Sequence, residues 1–333
     1  MRRVACIDIG TVTARLAVAD VERGHVARLG KQSQICNLGE GVDATGRLSQ
    51  AAMERVFACA QAYVAAARES GAEAVCCTLT SAARDAENAR ELGAALDSLG
   101  LDPLVIPGQV EGALTFLGVA QDFRGRQILV ADNGGGSTEL AKGSLRSDGI
   151  LDLQFVRSVD VGCRRVTERF LPGSGPASAE ARAAAHEFAA QAFAPVVTEG
   201  CLRADAGEGS PEALVVCGGT VTSLVAMDLE LDPYDPARVH LASLAAQRVD
   251  ELEERLAALT VEERAALPGL QAKRAPVILG GAVAVSELMR QTGFSRLQAS
   301  ESDLLFGLAL AAEAALSGTD SPVVWKPTLR PLR

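Results

Sequence analysis

Aromatic residues make up only 4% of this 333-residue chain, with one tryptophan and two tyrosines. So few rings leave few platforms for base stacking, which argues against single-stranded nucleic acid as the main ligand. A net charge of -10 excludes broad electrostatic attachment to a phosphate backbone. Any polyanion must be held locally, by a few arginines, backbone amides and metal. No run approaches the roughly 18 uninterrupted apolar residues of a membrane span. The basic start Met1-Arg2-Arg3 fails as a signal peptide, because Asp8 interrupts the apolar run that follows. His25, His186 and His240 show no ligand spacing and read as surface or structural residues. The cysteines, at 6, 36, 59, 76, 77, 163, 201 and 217, form no C-x-x-C pair with ligand spacing and read mostly as small core residues. These absences place the expected chain in a reducing cytoplasm, with neither membrane nor nucleic acid as partner.

What is present points elsewhere. Hydrophobic residues at 48% and charged residues at 22% are those of a globular protein, and the length suggests two domains with a cleft between them. One device occurs twice: an apolar run delivers an aspartate into a turn of glycine and hydroxyl residues. The copies are Asp8-Ile9-Gly10-Thr11-Val12-Thr13 and Asp132-Asn133-Gly134-Gly135-Gly136-Ser137-Thr138. Glycines let backbone N–H groups approach phosphate oxygens, and a carboxylate can hold a hard divalent cation. Two such turns facing each other would make a clamp. A third glycine-hydroxyl turn, Gly218-Gly219-Thr220, follows a short apolar strand pattern at 213–217.

The pattern along the chain predicts strands at 4–9, 15–19 and 25–35, then a long helix capped by Ser49 and ended near Gly71. A strand at 74–79, short helices to 99, a strand at 103–106 and a helix from Gln109 to about Gly118 complete an α/β domain over 1–121. The second domain, 122–316, repeats that opening with strands at 127–131, 138–142 and 150–159. Helices are expected at 164–170 and 178–203, over most of 242–289, and at 302–316. The proline- and arginine-bearing tail, 317–333, is expected to be poorly ordered.

In order along the chain stand Ile7-Asp8-Ile9-Gly10; Leu38-Gly39-Glu40-Gly41 with Gly46-Arg47-Leu48-Ser49; Thr80 through Asn88; Gly108-Gln109-Val110-Glu111-Gly112; Asp132 through Leu140; Val161 through Glu168; and Gly218-Gly219-Thr220. In this series the chain resembles the exopolyphosphatase and guanosine-pentaphosphate phosphohydrolase (Ppx/GppA) family of the actin, sugar-kinase and heat-shock-ATPase superfamily. The resemblance implies two ribonuclease H-like α/β domains. It implies Mg²⁺-dependent hydrolysis of the terminal phosphoanhydride of inorganic polyphosphate, releasing orthophosphate. Removal of the 5′ γ-phosphate of guanosine pentaphosphate is the alternative enzyme reading, and a non-catalytic phosphate-rich-ligand sensor is a third. Mn²⁺ is the substitute cation expected, and a homodimer is an open assembly.

By the same resemblance, Glu111 positions or deprotonates the attacking water and Arg84 grips a phosphate with its planar fork. Asp132 and Glu139 are the metal candidates, with Asp8 acting through water. Gly10, Thr11, Thr13, Gly134, Gly135, Gly136, Ser137, Thr138, Gly218, Gly219 and Thr220 are the expected phosphate contacts. Each has a plainer competitor: turn capping at Asp8 and Asp132, a first-turn helix glutamate at Glu111, a solvated arginine at Arg84 and a solvent-facing strand charge at Glu139. The family's Ser-Asn-Ser is Thr11-Val12-Thr13 here, which keeps the hydroxyls and loses the amide. At the glutamate motif, Val110 replaces the neighbouring acid and Ala113 the arginine, and Asn133 stands where an aliphatic residue is usual. The longer relatives' extra helical domain has no room in this length, which favours short-chain or end-on recognition.

Overall fold

The computed structural model describes residues 1–205 and 207–332. The chain divides into two compact units, Met1–Gly118 with the segment from Leu304 onward, and Val119–Asp303. In the first, β1 (Arg2–Ile9), β2 (Thr13–Glu22) and β3 (His25–Ile35) form an antiparallel meander, while β4 (Ala74–Leu79) and β5 (Leu104–Val105) add in parallel beyond β1. β1 and β4 lie inside the sheet, and such strands need apolar residues on both faces. Val4–Ile9 are accordingly all buried, including Asp8. Ala5, Ile7 and Ile9 belong to the core beneath helix Gln50–Glu69. Strand alternation therefore turns Asp8 to the other face. Ser49 caps that helix as expected, its hydroxyl accepting from the Ala52 N–H.

The second unit repeats the plan. β6 (Ile128–Asn133), β7 (Thr138–Leu145) and β8 (Leu151–Val159) form the meander, and β9 (Ala213–Cys217) and β11 (Arg296–Ala299) continue in parallel beyond β6. A short β10 (Ser243–Ala245) closes the far edge antiparallel to β11. Leu129 and Ala131 join the main core, so alternation again turns the aspartate, Asp132, the other way. Helices Ala179–Glu199, Ala246–Ala257 and Ile278–Thr292 supply much of that core.

Two expectations for the end of the chain differ from the structure. Helix Leu304–Ser317, expected in the second domain, packs on β1, β2 and β3 of the first unit. Its close seat on helix Gly108–Val119 depends on Gly307, where a Cβ would stand 1.9 Å from the Leu114 carbonyl oxygen. The tail, expected to be poorly ordered, forms β12 (Arg330–Pro331), which pairs antiparallel with β4, and Leu332 is buried in the first core. The sheet edge beyond β4 supplies the unpaired backbone groups that order it. The expected helix over 178–203 ends at Glu199, and β10 and β11 had no predicted counterpart.

Candidate active site

Both glycine turns are four-residue loops closed in the same register. Ile9 faces Ala14 across the first and Asn133 faces Thr138 across the second. Each is latched by one bond, from the Gly10 N–H to the Thr13 carbonyl at 2.9 Å and from the Gly134 N–H to the Ser137 carbonyl at 3.0 Å. The aspartate one residue before the closing pair is therefore in the same place in both units. Its neighbours are not.

In the first unit Asp8 lies opposite Arg15 on β2 and Thr78 on β4. Arg15 donates to one carboxylate oxygen from Nε and Nη2, at 3.0 and 2.7 Å, and the Thr78 hydroxyl lies 3.3 Å from the other. The carboxylate is charge-compensated, which favours the turn-supporting reading over direct metal binding. Thr11 is buried against Gly39, where a Cβ would come within 2.3 Å of its methyl, and the Gly39 N–H donates to the Thr11 carbonyl. The Thr11 and Ser81 hydroxyls are buried with no hydrogen-bond partner among the described residues, the kind of orphaned group a bound oxyanion satisfies.

Arg84 and Glu111 meet in the same unit. Arg84 Nη1 lies 2.6 Å from Glu111 Oε2 and also donates to the Ile106 carbonyl at 3.0 Å. Glu111 is 7% exposed and sits in the first turn of helix Gly108–Val119, so it is neither a solvated helix-start glutamate nor is Arg84 a free surface arginine. A charge-assisted contact of this kind fixes the carboxylate's direction.

In the second unit the residue opposite Asp132 is Glu139, and both are buried. Glu139 does not face solvent: its Oε1 accepts from Ser137 Oγ at 2.8 Å and from Ser158 Oγ at 2.7 Å. The carbonyls of Gly134 and Gly135 accept from the N–H groups of Cys163, Arg164 and Arg165, and that of Gly136 from Arg165 Nε at 2.7 Å. That close seat requires Gly162, where a Cβ would lie 2.4 Å from the Gly135 oxygen. With its carbonyls engaged this way, the turn leaves the N–H groups of Gly135 and Gly136 without a backbone acceptor among the described residues, available for an anion.

The third turn adjoins this site. Gly218, at φ 99°, is so close that a Cβ there would lie 3.1 Å from Asp132 Oδ1. Gly219 begins helix Gly219–Asp228, and the guanidinium of Arg274 lies over it, 2.0 Å from where a Cβ would be. A helix N-terminus under an arginine favours an anion.

Two expected phosphate contacts are placed differently. Thr138 is fully buried and its hydroxyl serves Asn133 Nδ2 and the Val161 carbonyl. Thr220 is buried with its hydroxyl and methyl against Gly281. Their side chains turned inward because the strand and helix phases put them on the core side. Arg15 and Ser81 join the first unit's set, and Ser158, Arg165 and Arg274 the second's, without having been picked out. For Arg15 the signal was a charge seven residues after an aspartate across a tight hairpin, since that spacing places the two in register. Arg274 and Ser158 carried no local signal.

Two sheets of one topology, each with strand order 3-2-1-4-5 and an aspartate-glycine turn after the first strand, define an α/β protein of the ribonuclease H-like, actin-like ATPase fold. Residues 17–310 match the Ppx/GppA phosphatase family. The chain is 34% identical over 329 residues to exopolyphosphatase 2 of Mycobacterium tuberculosis, covering 93% of this chain and 98% of that one. It is 28% identical to exopolyphosphatase 1 of the same organism, covering 92% and 87%. The crystal structure of the Aquifex aeolicus Ppx/GppA family member superposes with a TM-score of 0.76 at 28% identity, over 96% of this chain and 99% of that one. The chain belongs to the Ppx/GppA phosphatase family, whose enzymes are hydrolases that release phosphate.

Proposed function

We propose that this chain is an exopolyphosphatase that splits the terminal phosphoanhydride of inorganic polyphosphate with Mg²⁺ bound at Asp132 and Glu139. Among the described residues no cluster of three or more His, Cys, Asp or Glu side chains is set to enclose a metal. Two carboxylates beside free turn amides suit a cation that keeps several waters and takes its other ligands from phosphate. When bound, Mg²⁺ supplies charge neutralisation on the phosphate oxygens; Mn²⁺ is the natural substitute. The N–H groups of Gly135 and Gly136 and the guanidinium of Arg274 hold oxygens of the chain end. Glu111, aimed by Arg84, orients a water and takes its proton as the water oxygen attacks the terminal phosphorus. The bridging P–O bond breaks, orthophosphate forms, and the shortened chain leaves with the bridging oxygen. Phosphoryl transfer of this kind asks for alignment and electrostatics more than covalent chemistry.

The observation that carries this reading is the partly buried Arg84–Glu111 contact, which holds the carboxylate in one direction. The test is phosphate release from polyphosphate of defined length by wild type and Glu111→Gln, with melting temperature confirming that the variant folds. A fall in kcat of about 10²- to 10⁴-fold is expected. A variant as fast as wild type sinks the assignment. Running the same assay on guanosine pentaphosphate separates the two substrates by their kcat/KM.

A further inference from the structure

We propose that Ser158 is a positioning residue that, with Ser137, aims the Glu139 carboxylate for metal binding. The inference rests on the metal reading of Asp132 and Glu139 and adds a residue that reading does not contain. Asp132, Glu139 and Ser158 form one row across β6, β7 and β8, each directly opposite the next in register. Directly opposed residues on neighbouring strands stand with their side chains on the same face. Ser158 therefore approaches Glu139 from the strand away from Asp132.

Both serine hydroxyls converge on the same oxygen of Glu139, Oε1, at 2.7 and 2.8 Å. Two donors on one carboxylate oxygen, coming from different strands, fix the torsions of a long side chain that would otherwise sample several rotamers. They also fix which oxygen is turned to the serines and which is presented elsewhere. Ser137 is part of the glycine turn itself, so its position follows the phosphate loop. Ser158 stands on an edge strand outside the loop, so the second donor comes from a different part of the sheet. Partners of this kind around a liganding carboxylate are worth about 10- to 100-fold in metal affinity.

A purely structural role, satisfying a buried carboxylate, would show in stability and leave metal affinity alone. The test measures Mn²⁺ binding to the full chain by electron paramagnetic resonance of the free ion, for wild type, Ser158→Ala, Ser158→Thr, Ser158→Val and Glu139→Gln. Thr and Val share a shape that suits a strand and differ by the hydroxyl, so their comparison holds even if the alanine variant folds poorly. The expected result is Mn²⁺ affinity about tenfold weaker in Ser158→Ala and Ser158→Val, near wild type in Ser158→Thr, and lost in Glu139→Gln. Wild-type affinity in Ser158→Val with loss in Glu139→Gln overturns the role of Ser158 alone. Wild-type affinity in Glu139→Gln overturns the metal reading, and this proposal with it.

Discussion

The two units answer the same local problem, an aspartate buried at the end of a central strand, in opposite ways. In the first, the facing position on the next strand is Arg15, and the aspartate is neutralised by an ion pair. In the second, the facing position is Glu139, a second carboxylate in place of the arginine. The third strand places a serine next in both rows, Ser33 beyond Arg15 and Ser158 beyond Glu139. The same position in a duplicated frame thus carries an arginine in one unit and a glutamate in the other, and the cation proposed above belongs to the second.

The comparison breaks most visibly if the second unit is given the first unit's residue. Glu139→Arg should pair with Asp132 as Arg15 pairs with Asp8, leaving the fold intact while phosphate release falls by about a thousandfold or more; activity and Mn²⁺ binding measured together check it. The opposite change probes stability. Arg15→Ala strips the buried Asp8 of its counter-charge and should cost about 3–5 kcal/mol in urea unfolding, whereas Asp8→Asn combined with Arg15→Gln should recover most of that. Equal destabilisation by the single and double changes would mean the pair is not what holds Asp8.

A third and smaller difference concerns pH. His186 joins three helices of the second unit, its ring bonded to the buried Glu253 at 2.9 Å and Glu287 at 3.3 Å, with Arg290, Arg182 and Asp250 around it. The carboxylates raise its pKa from 6.5 to about 9. A raised pKa means the protonated form is stabilised by folding, so this contribution is complete below the unfolded value and fades as pH rises through the folded one. Stability should therefore fall by on the order of 2 kcal/mol between neutral pH and about pH 10, allowing for screening at the partly exposed ring. His186→Gln should flatten that slope.

Much of the frame was readable from sequence, because glycine and hydroxyl residues after an apolar strand have few other uses. The two turns, the third turn, the helix bearing Glu111 and the repeated meander all stand where periodicity put them. What escaped is long-range. Arg274 reaches Gly219 from a segment far along the chain, and Ser158 matters only through a strand register that no local pattern reveals. Thr138 and Thr220 looked like ligands by composition, yet strand and helix phase turned their hydroxyls inward. The tail misled for a related reason: proline and arginine suggest disorder, while an open sheet edge supplies order that only the partner strand can specify.

The return of the last thirty or so residues to the first sheet has a consequence for biosynthesis. The second unit is one uninterrupted stretch and can finish folding as soon as it clears the ribosome. The first cannot: helix Leu304–Ser317 and β12 emerge after the second unit, so the meander that precedes it must wait through the synthesis of its whole neighbour before that helix covers it. The unit begun before its neighbour is thus completed after it.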